Sequence, residues 1–298
     1  MNPYPYPRLR YPAWTGGLRL RENLRITFFM RHSHEDVARK VMQSLQAYVD
    51  EAGTSALGWY ADDNGDWWEL NALGWEGVRR RLFDPDWPGS RTIDLWERVD
   101  GSPAYRFEYY GGRMGPAQSL ETSALSFWLP TEYLEERGPE HLHELAMRLA
   151  TPLPFCSGYA GLALHHVGSN PELARLRSRY PGLDDIDLPF VAPCIGTRVT
   201  GPSWMNFLGN PALGELGGMT GLRSRLSSPD ITLRALPGER AVITLGSSPE
   251  AGDTERGQQL PLHRELARLL EPWLYHHPSL KDPEAARATR RWERRFLD

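Results

Sequence analysis

Three reversal signals divide this chain into hairpins. Asn64-Gly65 lies inside ALGWYADDNGDWWEL (56–70), Asp100-Gly101 inside TIDLWERVDGSPAYRFEYYGG (92–112), and Pro237-Gly238 inside ITLRALPGERAVITLG (231–246). Each pair is flanked by aromatic and β-branched residues, which suit a pleated surface. Asn-Gly is the pair favoured in a type I′ turn, because both residues tolerate positive φ. Helical periodicity separates the hairpins. Val37, Val41, Leu45 and Tyr48 make one stripe, and Leu142, Leu145, Ala146 and Leu149 make another after a Gly138-Pro139 start. Leu262, Leu266, Leu269, Leu270 and Trp273 make a third. Hairpins interleaved with helices argue against a doubly wound parallel fold. They predict an α+β fold: a largely antiparallel or mixed sheet built from hairpins, with amphipathic helices packed on it.

The remaining segments fill in this plan. LRITFFM (24–30) predicts a strand, with Ile26, Phe28 and Met30 alternating with Arg25, Thr27 and Phe29. Ser33 and Asp36 have the spacing of a capping-box variant, with Asp in place of Glu or Gln. Helices are expected over 73–83 and 170–179, a strand over 124–130, and an extended run at FVAPCIGTRV (190–199). Strand, polar turn and helix recur in 24–49 and 124–149, a faint echo of duplication. No linker interrupts the pattern, so 1–298 is expected to form a single domain. Residues 1–20, rich in Pro, Tyr and Arg, are expected to lie extended on the surface. The basic tail 283–298 is expected to be helical, with Trp292 and Phe296 inward and its arginines outward. A nucleic-acid-binding arm is the other reading of that tail.

Composition excludes several classes. With 298 residues, 40% hydrophobic and 11% aromatic, the chain can build a large core and does not resemble a disordered one. A net charge of -4 supplies no general field toward nucleic acid or anionic lipid. Two cysteines, Cys156 and Cys194, are too few for a disulfide scaffold and read as free thiols. No run approaches the ~20 apolar residues of a membrane span, and the proline-rich start has no signal-peptide core. A cytoplasmic protein is expected.

The sequence offers no convincing catalytic set. PFCSGYAGLALHHV (154–167) holds Cys156 and His165, nine residues apart on an apparent strand and so separated by roughly 30 Å. His165 and His166 point to opposite faces of such a strand. Core packing is the reading we adopt for this stretch. RHSHED (31–36) reads as a helix start. His141 and His143 do not share a helix face and lack the HExxH spacing of a zincin. No dinucleotide fingerprint, P-loop or GxSxG is present. No metal and no cofactor are expected. DDNGD (62–66) lacks the ligand spacing of a calcium loop. Its carboxylates stand beside Trp67 and Trp68 in a tryptophan-rich stretch, and aromatic anchors with a polar rim are what protein interfaces use. Asp62, Asp63, Asp66, Trp67 and Trp68 are therefore the candidate partner-binding residues. The competing view is a hydrolase or modifying enzyme using Cys156 or Cys194 with a distant histidine such as His263.

Several segments together resemble the type VI secretion immunity family: PFCSGYAGLALHH, RYPGLDDID (179–187), GPSWMNFLG (201–209), LGGMTGLRSRL (216–226) and AGDTERGQQLPLHRELARLLEPWL (251–274). The resemblance runs from Leu24 to Leu274. It implies a protein that binds and neutralises a cognate antibacterial effector encoded nearby, a nuclease in many members, without acting on nucleic acid or membrane itself. No catalytic residues carry over. Gly158 and Gly161 are expected to allow close strand approach, Trp204 and Phe207 to pack, and Gly217 and Gly218 to ease a helix start.

Overall fold

The computed structural model describes every residue except 1–4, 15, 90, 114–119, 169 and 279–281. Strand β1 (Tyr11–Pro12) and the long β2 (Leu18–Met30) open the chain, followed by α1 (His34–Ala52). The first hairpin pairs β3 (Trp59–Ala61) with β4 (Trp67–Glu69); α2 (Ala72–Phe83) follows it. The second pairs β5 (Thr92–Trp96) with β6 (Arg106–Tyr110). Strand β7 (Ser123–Pro130) leads into α3 (Thr131–Arg137) and α4 (Pro139–Ala150). Strand β8 (Ser157–His166) leads into α5 (Leu173–Arg179) and α6 (Leu188–Val191). Next come β9 (Met205–Leu208), α7 (Ala212–Glu215) and α8 (Gly218–Arg225). The third hairpin is β10 (Ile231–Leu236) with β11 (Arg240–Leu245), and α9 (Pro261–Leu270) and α10 (Pro283–Glu293) complete the order.

Among the described residues the strands form one 11-stranded sheet, ordered β10-β11-β9-β8-β2-β7-β6-β5-β3-β4 with β1 beside β2. Every strand pair is antiparallel, as an α+β fold built from hairpins requires. The period of two sorts β2 between two faces. Leu24, Ile26, Phe28 and Met30 face a core that includes Val37, Val41, Leu45 and Tyr48 of α1 and Leu142, Leu145 and Leu149 of α4. Phe29 faces the other side, with Tyr159 of β8 and Leu188 and Val191 of α6. A third cluster packs α7, α8 and α9 against Leu208, Ile243 and Leu245. Both faces of the sheet are thus covered over its middle strands. Gly158 permits the close seam between β2 and β8: a Cβ there would lie 2.6 Å from the Thr27 carbonyl oxygen. Trp204 and Phe207 are core residues, as expected. The two echoed units prove to be neighbours, since β2 pairs with β7 and α1 packs against α4.

Several expectations need correction. At the first reversal only Gly65 takes positive φ (85°), so the connection is not type I′. It is a longer loop closed by Asp62 N–H to Asp66 O (2.9 Å) and Gly65 N–H to Asp62 O (3.2 Å). Asp100-Gly101 is no tight turn either; it lies within the wide loop 97–105, with Gly101 pressed against the Leu18 backbone. FVAPCIGTRV is not extended, because Asp187 caps α6 by accepting from Phe190 N–H and the chain then turns. Ser33 makes no cap bond to the backbone; its hydroxyl donates instead to Asp36 Oδ2 (3.0 Å). The segment 1–20, of which 1–4 and 15 lie outside the described residues, does not simply lie on the surface in its described part: Tyr6 and Leu9 are buried, and Arg8 and Arg10 both reach the buried Glu22 carboxylate. In the tail, Phe296 is buried and Arg287, Arg290 and Arg291 are exposed, but Arg295 turns inward. It stacks on Trp292 (3.9 Å) and donates to the Pro181 carbonyl (2.8 Å).

Candidate functional site

The β3–β4 loop is held by one of its own carboxylates. Asp62 Oδ1 accepts from Asn64 N–H (2.8 Å) and Asp66 N–H (3.0 Å), and Oδ2 accepts from Trp68 Nε1 (3.1 Å). Desolvation pushes the Asp62 carboxyl up, but these bonds and the nearby Arg81 outweigh it and leave its pKa below the ordinary value. Asp63 pairs with Arg81 Nη2 at 3.3 Å, while Asp66 is exposed. Trp67 and Trp68 sit on opposite faces of their strand. Trp67 packs on Trp96 with ring centroids 4.5 Å apart, and Trp68 stays 55% exposed. Of the five residues singled out from sequence, Asp66 and Trp68 present the freest surface, and Asp62 and Asp63 shape the loop beneath them. A cavity of ≈ 260 Å³, lined among others by Tyr60, Val78, Arg81 and Trp87, opens at the base of the loop.

Among the described residues neither thiol meets an imidazole or a carboxylate that could activate it. Cys156 is buried, and its Sγ donates to the Phe29 carbonyl (3.2 Å). Burial pushes this thiol's pKa up, away from the thiolate that would attack. Cys194 Sγ donates to the Phe190 carbonyl (3.4 Å) and accepts from the Tyr275 hydroxyl (3.4 Å). His263 is buried against Phe296, and burial lowers its pKa to about 3. No thiol–imidazole hydrogen bond occurs among the described residues.

A serine–histidine contact does exist, and sequence spacing gave no hint of it. Ser102 Oγ lies 2.5 Å from His165 Nδ1. Arg106 Nη1 donates to His165 Nε2 (3.0 Å), so the ring is neutral with its proton on Nδ1. Nδ1 then donates to Ser102 Oγ, and that hydroxyl donates to the His165 carbonyl (3.0 Å). Burial and then Arg106 hold the imidazole far below its ordinary pKa. A ring that donates to the serine through Nδ1 and accepts from Arg106 at Nε2 has no free lone pair for a general base. The contact belongs to a buried polar network on the second face of the sheet. There Arg25 bonds Asp184 (3.1 Å) and Ser126, Tyr159 donates to Asp184 (2.6 Å), and Arg106 joins Asp94 (2.8 Å) to Glu108 (2.7 Å). Among the described residues no group of three or more His, Cys, Asp or Glu side chains is placed to hold a metal ion.

The fold also presents an exposed acidic-aromatic loop, and the comparison with family models decides the chain's class. Residues 40–296 match the family described as type VI immunity for VRR-NUC, called TsiV. The chain belongs to the TsiV family. No curated protein matches this TsiV member. Four solved chains do. One is the Pseudomonas aeruginosa T6SS protein PA0821, at 22% identity and a TM-score of 0.80, covering 97% of this chain and 87% of that one. At that identity the likeness establishes a shared fold. No helix of the described residues is long and apolar enough to cross a membrane.

Proposed function

We propose that this TsiV protein acts in the cytoplasm of its producer as a stoichiometric inhibitor of one cognate VRR-NUC effector encoded nearby. It occludes the nuclease's working groove and transforms no bond. The observation that carries this reading is the family match across residues 40–296. Charge supports it: a nuclease groove must attract phosphate, and a chain of net charge -4 is drawn to such a groove and suits its walls. The two thiols without an imidazole partner, and a His165 ring whose two nitrogens are both engaged by Ser102 and Arg106, support a role without turnover. One sheet taking strands from both halves of the chain supports treating 1–298 as one binding unit.

In this reading the β3–β4 loop is a contact surface, with Trp68 as anchor and Asp66 on its rim. Trp68→Ala/Asp66→Lys spares the two backbone bonds that Asp62 accepts within the loop. An anchor of this kind is worth about 2 kcal/mol, so affinity for the purified effector falls at least ~tenfold by calorimetry. Unchanged affinity removes the loop from the interface.

A further inference from the structure

Strand register places two oppositely charged features at one end of the sheet. Strand β2 ends at Met30, which pairs with Ser123 at the start of β7; Ala124 pairs with Tyr110 at the end of β6, and Tyr110 with Thr92 at the start of β5. Strand β3 pairs antiparallel with β5, so its own end, and the Asp62–Asp66 loop beyond it, lie at that same end. On the other side Phe29 pairs with Ser157 at the start of β8, Ser157 with Leu208 at the end of β9, and Leu208 with Ala241 near the start of β11. The β10–β11 turn therefore shares the rim. At ~4.8 Å per strand, the acidic loop stands roughly 20 Å along the rim from β2.

Beside β2 the rim holds a cleft of ≈ 670 Å³. Its walls carry Arg31, His32, Lys40 and Arg240, and no Asp or Glu lines it. Phe155 and Pro211 also line it, the Arg240 guanidinium lying over the Phe155 ring (4.8 Å). Arg240 is part-buried with no ion pair among the described residues, and burial alone pulls its pKa down. Glu239, at the nearby turn, accepts from Asn210 Nδ2 (2.7 Å). Lys40 and His32 are exposed. A cationic cleft on an acidic chain calls for an anionic guest.

We infer that this cleft receives a carboxylate-bearing loop of the cognate nuclease, while the acidic β3–β4 loop meets that nuclease's basic wall. This rests on the proposed inhibition of a nuclease. Nuclease centres that work through divalent cations hold them on carboxylates, within a groove whose walls draw in phosphate. The rim is complementary to both kinds of charge in one docking. A nucleic acid fits it less well, because its phosphates, one charge per ~1.7 Å of duplex, would run from the cationic cleft onto Asp62, Asp63 and Asp66.

The test uses the full chain, its cognate nuclease, and the double variant His32→Glu/Lys40→Glu, whose substitutions are both at exposed positions. Arg290→Glu, on the exposed face of the tail, controls for the charge reversal made at Lys40. With folding verified by circular dichroism, the double variant should bind the nuclease at least ~tenfold more weakly than wild type and inhibit it correspondingly less. Arg290→Glu should change binding less than ~threefold. Wild-type inhibition with full-strength binding by the double variant overturns the assignment of the cleft. Retention of a short fluorescent duplex by wild type, lost in the double variant, overturns it in favour of nucleic acid. Failure of wild type to bind or inhibit the nuclease is a distinct result, and it removes the underlying reading together with this one.

Discussion

Asp184→Ala should destabilise the protein by about 3–5 kcal/mol, the usual cost of breaking a buried ion pair from one side. The Asp184 carboxylate accepts from Arg25 Nη1 (3.1 Å) and the Tyr159 hydroxyl (2.6 Å) in the interior of the sheet's second face. Arg25 is only 1% exposed, and its nearest remaining carboxylate, Glu108, stands at 3.7 Å and already serves Arg106 and the Trp128 indole. Losing Asp184 takes from the buried guanidinium its closer ion-pair partner, leaving it Ser126, the Ile186 carbonyl and the more distant Glu108, and takes an acceptor from the buried Tyr159 phenol. Folded domains have only about 5–15 kcal/mol in total, so the urea midpoint should fall steeply. The double variant Asp184→Ala/Arg25→Met should lose less than the sum of its singles, because it removes the buried guanidinium charge as well. Additive losses would mean that the two groups are not coupled.

Phe28→Ala should cost a similar ~3–5 kcal/mol. Its ring meets Phe207 edge-on at 5.0 Å and Phe155 at 5.6 Å, and it is fully buried. These three rings join β2, β9 and the entry to β8, directly beneath the cationic cleft, which Phe155 also lines. Phe28→Leu should cost clearly less, because most of the volume is kept. Urea unfolding reads both variants; a loss below ~1 kcal/mol for Phe28→Ala would show that this end of the sheet is not tightly packed. Protection in cells should weaken as well, through the smaller folded fraction rather than through a lost contact.

The elements visible in the sequence were those governed by local pattern. The stripes Val37–Tyr48 and Leu142–Leu149 and the three hairpins formed where periodicity placed them. Turn geometry was less legible. Asn64-Gly65 carries the residues of a type I′ turn, but Asp62 offers its carboxylate to two backbone donors and stabilises a wider loop instead. In β2 the alternation was visible and its meaning was not. Arg25 and Thr27 alternate with the apolar set, yet both are buried, and residues 184–186 return from far along the chain to meet Arg25. The Ser102–His165 contact, 63 residues apart, was equally beyond reach of spacing. The rim is illegible for the same reason: only strand order brings Arg31, Lys40, Arg240 and the Asp62–Asp66 loop to one end. The five loop residues were visible as a cluster, but their division into support (Asp62, Asp63, Trp67) and surface (Asp66, Trp68) needed the fold.

Titration of the cognate nuclease with this protein tests the central claim most directly. With the nuclease well above the dissociation constant, cleavage of duplex DNA should fall in a straight line and reach zero at one equivalent of inhibitor, with both proteins recovered at unchanged mass. Full inhibition by a small fraction of an equivalent, or a nuclease left chemically altered, would contradict it.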